Sequence, residues 1–179
     1  IFTNDNGPVL EEMSKPFRGT KNTTFEGGVR SPCLIRWPGH VDPGTSRDGM
    51  MFIADWVSTL ITLGGGSHQQ DLPVDAIDMT EMLFGDKPSP RTEIIFEVAG
   101  SVRLPTIRSG DYKLMGDMLF NIKEDPGETT DIAAEHPEIV RRLAERLAEV
   151  GRQRAVSQFR APAGMSLDDT PIPGAILDN

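Results

Sequence analysis

The pattern of apolar and polar positions predicts two short strands and one helix in the first part of the chain. Residues 1–3 are two apolar residues and a threonine, followed by polar, turn-forming residues, which is typical of a buried strand that ends in a loop. The apolar run at residues 33–37 predicts a second short buried strand, which a Pro-Gly pair ends. Within residues 50–63 apolar positions recur at helical spacing, with Asp55 as the predicted N-cap and three glycines beyond the end.

The second half of the chain has the pattern of a small antiparallel sheet and one long helix. The turn at residues 109–111 joins two strand patterns into a predicted hairpin. Residues 137–150 begin with a proline suited to a helix start and carry a single apolar stripe, which predicts an amphipathic helix. The predicted strands are residues 94–98, 106–108, 112–114 and 119–122.

Two neighbouring side chains at the end of the first strand are candidates for metal binding. Asp5 and Asn6 supply a carboxylate and an amide oxygen, and open α/β sheets place their ligands at the carboxyl ends of strands. Such hard oxygen donors are the ligands that Ca²⁺ and Mg²⁺ prefer. Residues 17–32 then combine three glycines with cations and hydroxyls, which predicts a backbone that passes close to an anion.

The composition of the chain argues against several classes of binding partner and of protein. The chain has 179 residues with 27 acidic and 18 basic side chains, a net charge of −9, and no basic stripe, which argues against a nucleic-acid partner. No apolar run is long enough to cross a bilayer, and the single cysteine excludes an internal disulfide framework. Because the first residue already lies in a predicted strand, we expect the chain to be the carboxyl-terminal piece of a longer protein.

Four separate blocks follow one another along the first part of the chain: Asp5-Asn6-Gly7, Arg18-Gly19-x-Lys21, Phe25-Glu26-Gly27-Gly28-Val29-Arg30-x-Pro32 and Arg36-Trp37-Pro38-Gly39. In this order and spacing they resemble the second half of a type I sulfatase, the arylsulfatase branch of the alkaline phosphatase superfamily. The order and spacing make the resemblance far more specific than any single short motif would be.

The resemblance implies an α/β fold in three parts. The first is the carboxyl-terminal part of an alkaline-phosphatase-like mixed sheet flanked by helices, and a small subdomain of antiparallel sheet and helix follows it. A proline-rich hinge at residues 86–90 marks the expected boundary, and a Pro- and Gly-rich stretch forms an extended tail. The expected parts are residues 1–88, residues 89–160 and residues 161–179.

The resemblance also implies a chemistry, the hydrolysis of a sulfate monoester. Asp5 and Asn6 would be two ligands of a Ca²⁺ ion, with Mg²⁺ or Mn²⁺ as alternatives, and Lys21 would contact the sulfate and the leaving-group oxygen. The nucleophile would be a formylglycine that lies upstream of this chain, in the missing amino-terminal part of the same protein. The substrate would be a small sulfate ester or a sulfated carbohydrate, without nucleic-acid or membrane partners. The resemblance implies a secreted, periplasmic or lysosomal location, of which the first two are slightly favoured.

The remaining candidate residues are expected to be structural or peripheral. Cys33 lacks the formylglycine signature and is expected to be a core thiol. Arg18 and Arg30 are expected to pair with carboxylates that hold the loop. The other candidates are His40, His68 and His136, expected in solvated loops or caps, and Val102 and Arg103, expected at the substrate mouth.

Two alternatives stay open at this point. A phosphonate or phosphate ester hydrolase of the same superfamily would share the nucleophile and the metal. If the chain is complete, it would instead be an inactive fragment that binds anions weakly, because two donors cannot fill a calcium site that takes about six to eight oxygens.

Overall fold

The structure, a computed structural model, describes residues 1–67, 75–96 and 104–156, and the side chains up to residue 152. Residues Ile1–Leu147 form one unit and residues Ala148–Asn179 a second, of which only the helical residues 148–156 are described. The predicted tail therefore lies outside the described residues. The elements are β1 (Phe2–Thr3), α1 (Glu26–Val29), β2 (Cys33–Leu34), α2 (Asp55–Leu63), α3 (Thr80–Leu83), β3 (Glu93–Phe96), β4 (Thr106–Ser109), β5 (Tyr112–Met115), β6 (Met118–Asn121) and α4 (Pro137–Val156).

The four strands β3 to β6 form an antiparallel sheet in sequence order. Gly110 and Gly116, both at φ +58°, make the tight turns between β4, β5 and β6, where a positive φ favours glycine. In the register of this sheet, Arg108 lies opposite Lys113 on the neighbouring strand. The predicted strands and the predicted long helix are confirmed, although residues 97 and 98 lie outside the described part.

The two faces of this sheet pack against different parts of the chain, because side chains alternate along each strand. On one face Ile107, Leu114 and Leu119 form a buried cluster with Leu143 of α4. Each such side chain contributes about 1.5–3 kcal/mol by leaving water. On the other face Met115 and Phe120 form a second cluster, against which Phe25 packs. The second face therefore meets the segment that carries the sequence blocks.

The pair formed by β1 and β2 corrects the predicted burial. The two strands pair antiparallel, with Phe2 opposite Leu34 and Thr3 opposite Cys33. Phe2 is 58% exposed and Leu34 65% exposed, and Cys33 is exposed as well. The expectation of two buried strands and a core thiol is therefore wrong for this structure. Each strand has two residues and pairs with the other in a two-stranded sheet, so the outer faces stay exposed in the described part of the chain.

Helix α2 confirms the predicted helix over its last nine residues but changes the role of Asp55. Asp55 is the first helical residue, and Ala54 occupies the N-cap position. The buried Asp55 carboxylate accepts hydrogen bonds from the backbone N–H groups of Phe52, at 2.7 Å, and Ile77, at 2.8 Å. It also pairs with Arg91, whose Nε lies 2.7 Å from Oδ2. These contacts join segments on both sides of residue 88, and the domain boundary expected there stays a prediction.

Replacing Asp55 by alanine is expected to destabilise the protein by about 3–5 kcal/mol, because it leaves the largely buried Arg91 guanidinium without its counter-charge. Chemical denaturation measures this loss. Thr62→Ala, an exposed change on the same helix, serves as the control and is expected to stay within about 0.5 kcal/mol of the parent. A loss of similar size in both variants would contradict the account of Asp55.

Candidate active site

All three residues that the sequence predicts for the site line one open cleft. Asp5, Asn6 and Lys21 lie on its wall, and the cleft has a volume of about 910 Å³. Glu26 and Arg108 are also among the lining residues, so the sheet contributes to the same cavity as the first blocks of the sequence. The cleft thus brings together a carboxylate, an amide oxygen and an ammonium group.

Backbone hydrogen bonds fix the two loops that carry these side chains. The N–H of Gly7, next to Asn6, donates to the carbonyl oxygen of Gly28 on α1 at 2.9 Å. The N–H of Lys21 donates to the carbonyl oxygen of Pro8 at 2.8 Å. The loop that carries Asp5 and Asn6 therefore bonds to α1 on one side and to Lys21 on the other.

Glycines allow this close packing. A Cβ atom on Gly7 would lie 1.9 Å from the carbonyl oxygen of Gly27, and one on Gly28 would lie 2.4 Å from the carbonyl oxygens of Thr20 and Thr23. The close neighbours of Gly27 and Gly28 are chiefly backbone carbonyl oxygens, so these glycines allow one segment of backbone to approach another. The predicted approach of this backbone to an anion stays a prediction.

The carboxylate of Glu26, the first residue of α1, lies among three cations. It is 1% exposed, and Lys113 Nζ lies 3.0 Å from Oε1. Arg30 Nε lies 2.6 Å and Arg108 Nη1 3.0 Å from Oε2. This arrangement joins the first sequence blocks to strands β4 and β5.

A second buried carboxylate, Glu128, completes this charge cluster. Its Oε2 accepts a hydrogen bond from the backbone N–H of Glu26 at 2.6 Å. Its Oε1 lies 2.8 Å from Lys113 Nζ, which is ion-pair distance, but outside the alignment of a hydrogen bond. The fully buried Lys113 ammonium is therefore held between two carboxylates.

The pKa values of the two carboxylates are shifted in opposite directions. Burial would raise the pKa of Glu26, but Lys113, Arg30 and Arg108 together outweigh that effect and hold the pKa below its ordinary value of 4.5. Burial raises the pKa of Glu128 above the same ordinary value, because Lys113 offsets it only in part. Glu26 is therefore the anion that the surrounding cations stabilise best.

Sequence comparison places these blocks in a known family. The family model described as Sulfatase matches residues 1–66. Arylsulfatase A of Bos taurus is 34% identical over 170 residues, which cover 74% of this chain and 32% of that protein. The chain belongs to the sulfatase family. The N-acetylgalactosamine-6-O-sulfatase of Bacteroides thetaiotaomicron is 26% identical over 84% of the chain and 35% of its own length. This sulfatase chain thus spans about a third of the length of these relatives.

Solved structures agree with this assignment. A structure from a Bacteroides thetaiotaomicron locus that metabolises glycosaminoglycans is 25% identical, with a TM-score of 0.71 over 83% of this chain and 38% of that one. A sulfatase from Pseudoalteromonas sp. is 27% identical, with a TM-score of 0.63 over 82% and 36%. The predicted α/β fold of the alkaline-phosphatase-like sulfatases is thereby confirmed. In the described segments of this sulfatase chain, no helix is both long and apolar enough to span a membrane.

The other candidate residues have structural contacts or lie outside the described part. Arg18 donates from Nη1 to the carbonyl oxygen of Glu128 at 3.0 Å and stacks over the Phe25 ring at 4.1 Å. Arg30 pairs with the Glu26 carboxylate as expected, whereas Arg18 holds the loop through a backbone carbonyl instead of a carboxylate. The histidines that the structure describes are away from the cleft wall: His40 stacks on Trp37 and His136 lies beside Tyr112. His68, Val102 and Arg103 lie outside the described residues.

The donor set at the cleft fits part of a metal site. Sulfatases typically use a divalent metal ion and a formylglycine, and the adjacent oxygens of Asp5 and Asn6 are hard donors of the kind that such an ion takes. Across residues 1–67, 75–96 and 104–156, no group of three or more His, Cys, Asp or Glu side chains could hold a metal. Asp5 and Asn6 therefore fit as two ligands of such an ion, which would need further ligands.

Sequence reasoning missed the cluster of Lys113 and Glu128 and the part that Arg108 takes in it. The one available signal was the lysine itself, which alternation places on the same strand face as the buried Met115. A lysine at such a position needs a buried counter-charge, but the sequence does not say which carboxylate supplies it.

Glu26→Gln is expected to destabilise the protein by about 3 kcal/mol at pH 7, because it removes the counter-charge of a buried ammonium. The folded-state pKa of Glu26 lies below the unfolded value of 4.5, so its stabilising contribution is fully present above pH 4.5. That contribution disappears as the pH falls through the lower, folded pKa.

Urea unfolding of wild type and variant between pH 7 and pH 3 measures this difference. Glu128 is present in both proteins, so the difference reports Glu26 together with its electrostatic coupling to Glu128. The exposed change Glu124→Gln is the control and should show a difference near zero at every pH. A Glu26→Gln difference that stays constant or grows below pH 4.5 would contradict the predicted pKa direction.

Proposed function

We propose that this sulfatase chain contributes two metal ligands and an anion-binding lysine to the hydrolysis of a sulfate monoester. The observation that carries the proposal is the shared cleft of Asp5, Asn6 and Lys21. Three residues from two loops meet there, and each matches a sequence block of the family in order and spacing. The activity belongs to the whole protein, of which we propose this chain is one part.

Asp5 and Asn6 would hold a Ca²⁺ ion, with Mg²⁺ or Mn²⁺ as alternatives, through one carboxylate and one amide oxygen. When bound, such an ion polarises the sulfate and stabilises negative charge on its oxygens. Asp5 and Asn6 would position this ion, because their backbone is fixed to α1 through the Gly7 N–H. The remaining ligands and the formylglycine nucleophile would come from a part of the protein upstream of this chain.

Lys21 would bind the sulfate and stabilise the negative charge that develops on the leaving group. Its side chain is exposed at the cleft wall, where a substrate can reach it. Cleavage of a sulfate ester builds negative charge on the leaving oxygen and on the nonbridging oxygens. A fixed ammonium near those oxygens favours that charge more in the transition state than in the ground state.

The substrate class that we propose is a sulfated carbohydrate or a small aryl sulfate. A related Bacteroides protein is named as acting on N-acetylgalactosamine 6-O-sulfate groups, and other relatives are named as arylsulfatases. The cleft of about 910 Å³ has room for a sugar unit beside the sulfate. We further propose a secreted or periplasmic location, which rests on family resemblance alone.

Lys21→Ala in the complete polypeptide is expected to lower kcat on an aryl sulfate by about 10²–10³-fold, because it removes a charge aimed at the developing anion. Lys123→Ala removes another exposed lysine, away from the cleft, and serves as the matched control. Unchanged turnover in Lys21→Ala would overturn the role of Lys21. Wild-type turnover of phosphonate esters but not of sulfates would overturn the sulfatase proposal itself.

A further inference from the structure

We propose that Lys113 is a positioning residue of this site, which acts through Glu26 and α1 to set the distance between Asp5 and Lys21. The proposal rests on the proposed function, because it treats those residues as the site. Lys113 itself does not line the cleft. It belongs to the sheet, in a part of the chain that carries none of the predicted site residues.

Lys113 occupies a central and fully buried position in the sheet. It lies on β5, which pairs with β4 on one side and β6 on the other, opposite Arg108 and Phe120. Its side chain is fully buried, whereas lysines are almost always exposed. Because a buried ammonium without a partner is very costly, it stays bound to Glu26 and Glu128.

Glu26 transmits this constraint to α1. Its side chain contacts Lys113, Arg108 and Arg30, and its own backbone N–H donates to Glu128. The side chain and the backbone of Glu26 are thereby fixed by four contacts. Helix α1 has only four residues, too few for a helix to be stable by itself, so these contacts determine where it lies.

Helix α1 in turn carries both site loops. Its Gly28 carbonyl accepts the Gly7 N–H beside Asn6, and Gly28 packs directly on the carbonyl oxygens of Thr20 and Thr23 on either side of Lys21. Neither loop can shift toward α1, because the glycine contacts leave no room for one further carbon atom. A movement of α1 therefore moves the metal ligands and the lysine.

Stability alone does not account for such a cluster. Buried ion pairs are often replaceable by apolar residues of similar size at no loss of stability, so a lysine here serves another requirement. That requirement is geometric, because displacing a reacting group by about 1 Å can reduce a rate by about 10²-fold. An ammonium between two carboxylates specifies a direction and a distance, which an apolar side chain does not.

The test uses the double variant Lys113→Met with Glu128→Gln in the complete polypeptide. It removes one positive and one negative charge together, so the charge balance of the cluster is kept while the bond to Glu26 is lost. We expect amide hydrogen exchange at Gly7 and Lys21 to quicken by about tenfold. We also expect kcat on an aryl sulfate to fall by about 10–100-fold, with a much smaller change in KM.

Arg146→Met is the matched control. Arg146 pairs with Glu93 at 2.6 Å and so links α4 to the same sheet, away from α1. Its loss is expected to lower the melting temperature without quickening exchange at Gly7 or Lys21 and without changing kcat. Unchanged exchange in the double variant, or equal quickening in Arg146→Met, overturns the proposal.

Two further outcomes are also decisive. If the double variant does not fold, Glu26→Gln breaks the Lys113 pair at its other end, while Arg108→Met removes only the second contact from the sheet and leaves the Lys113 pair in place. Greater quickening of exchange at Gly7 and Lys21 in Glu26→Gln than in Arg108→Met supports the proposal, and equal exchange in the two variants overturns it. If the wild type hydrolyses no sulfate ester, the proposed function fails, while the exchange result still decides whether Lys113 positions the loops.

Discussion

The buried carboxylate of Glu26 is the constraint on which the first part of the structure depends. It is 1% exposed and meets Lys113, Arg108 and Arg30 within 3.0 Å. Removing a partner from such a cluster weakens the compensation of a buried charge, so the contacts stabilise one another. Because α1 is too short to persist alone, this electrostatic requirement, rather than helix propensity, determines its place.

The small sheet consequently has two functions, one on each face. One face, with Ile107 and Leu114, buries the apolar stripe of α4 and provides ordinary hydrophobic stability. The other, with Arg108 and Lys113, presents cations to Glu26 and so supports the loops of Asp5 and Lys21. A region without predicted site residues thus holds the candidate site in place, as outer contacts do in many metal centres.

Local sequence patterns predicted well the strands and the helix whose formation depends on residues close in sequence. Period-two alternation and turn residues found β4 and β5, and the apolar stripe found α4, because these elements depend on neighbours in sequence. The charge cluster was missed because Glu26 bonds to Lys113 and Glu128, which lie 87 and 102 positions further along the chain. No local pattern shows contacts over such separations. The burial of Cys33 was predicted wrongly for a related reason, since an apolar run indicates a face that can be covered but not what covers it. The glycines were recognised as close-approach positions, but their neighbour proved to be backbone.

The central claim is that α1 brings Asp5, Asn6 and Lys21 together as one metal and sulfate site. The most direct measurement is a crystal structure of the complete polypeptide with Ca²⁺ and inorganic sulfate. The account predicts a metal ion about 2.3–2.6 Å from oxygens of Asp5 and Asn6, with the Lys21 ammonium hydrogen-bonded to a sulfate oxygen. A metal ion bound without either residue, or a sulfate that Lys21 does not contact, would contradict it.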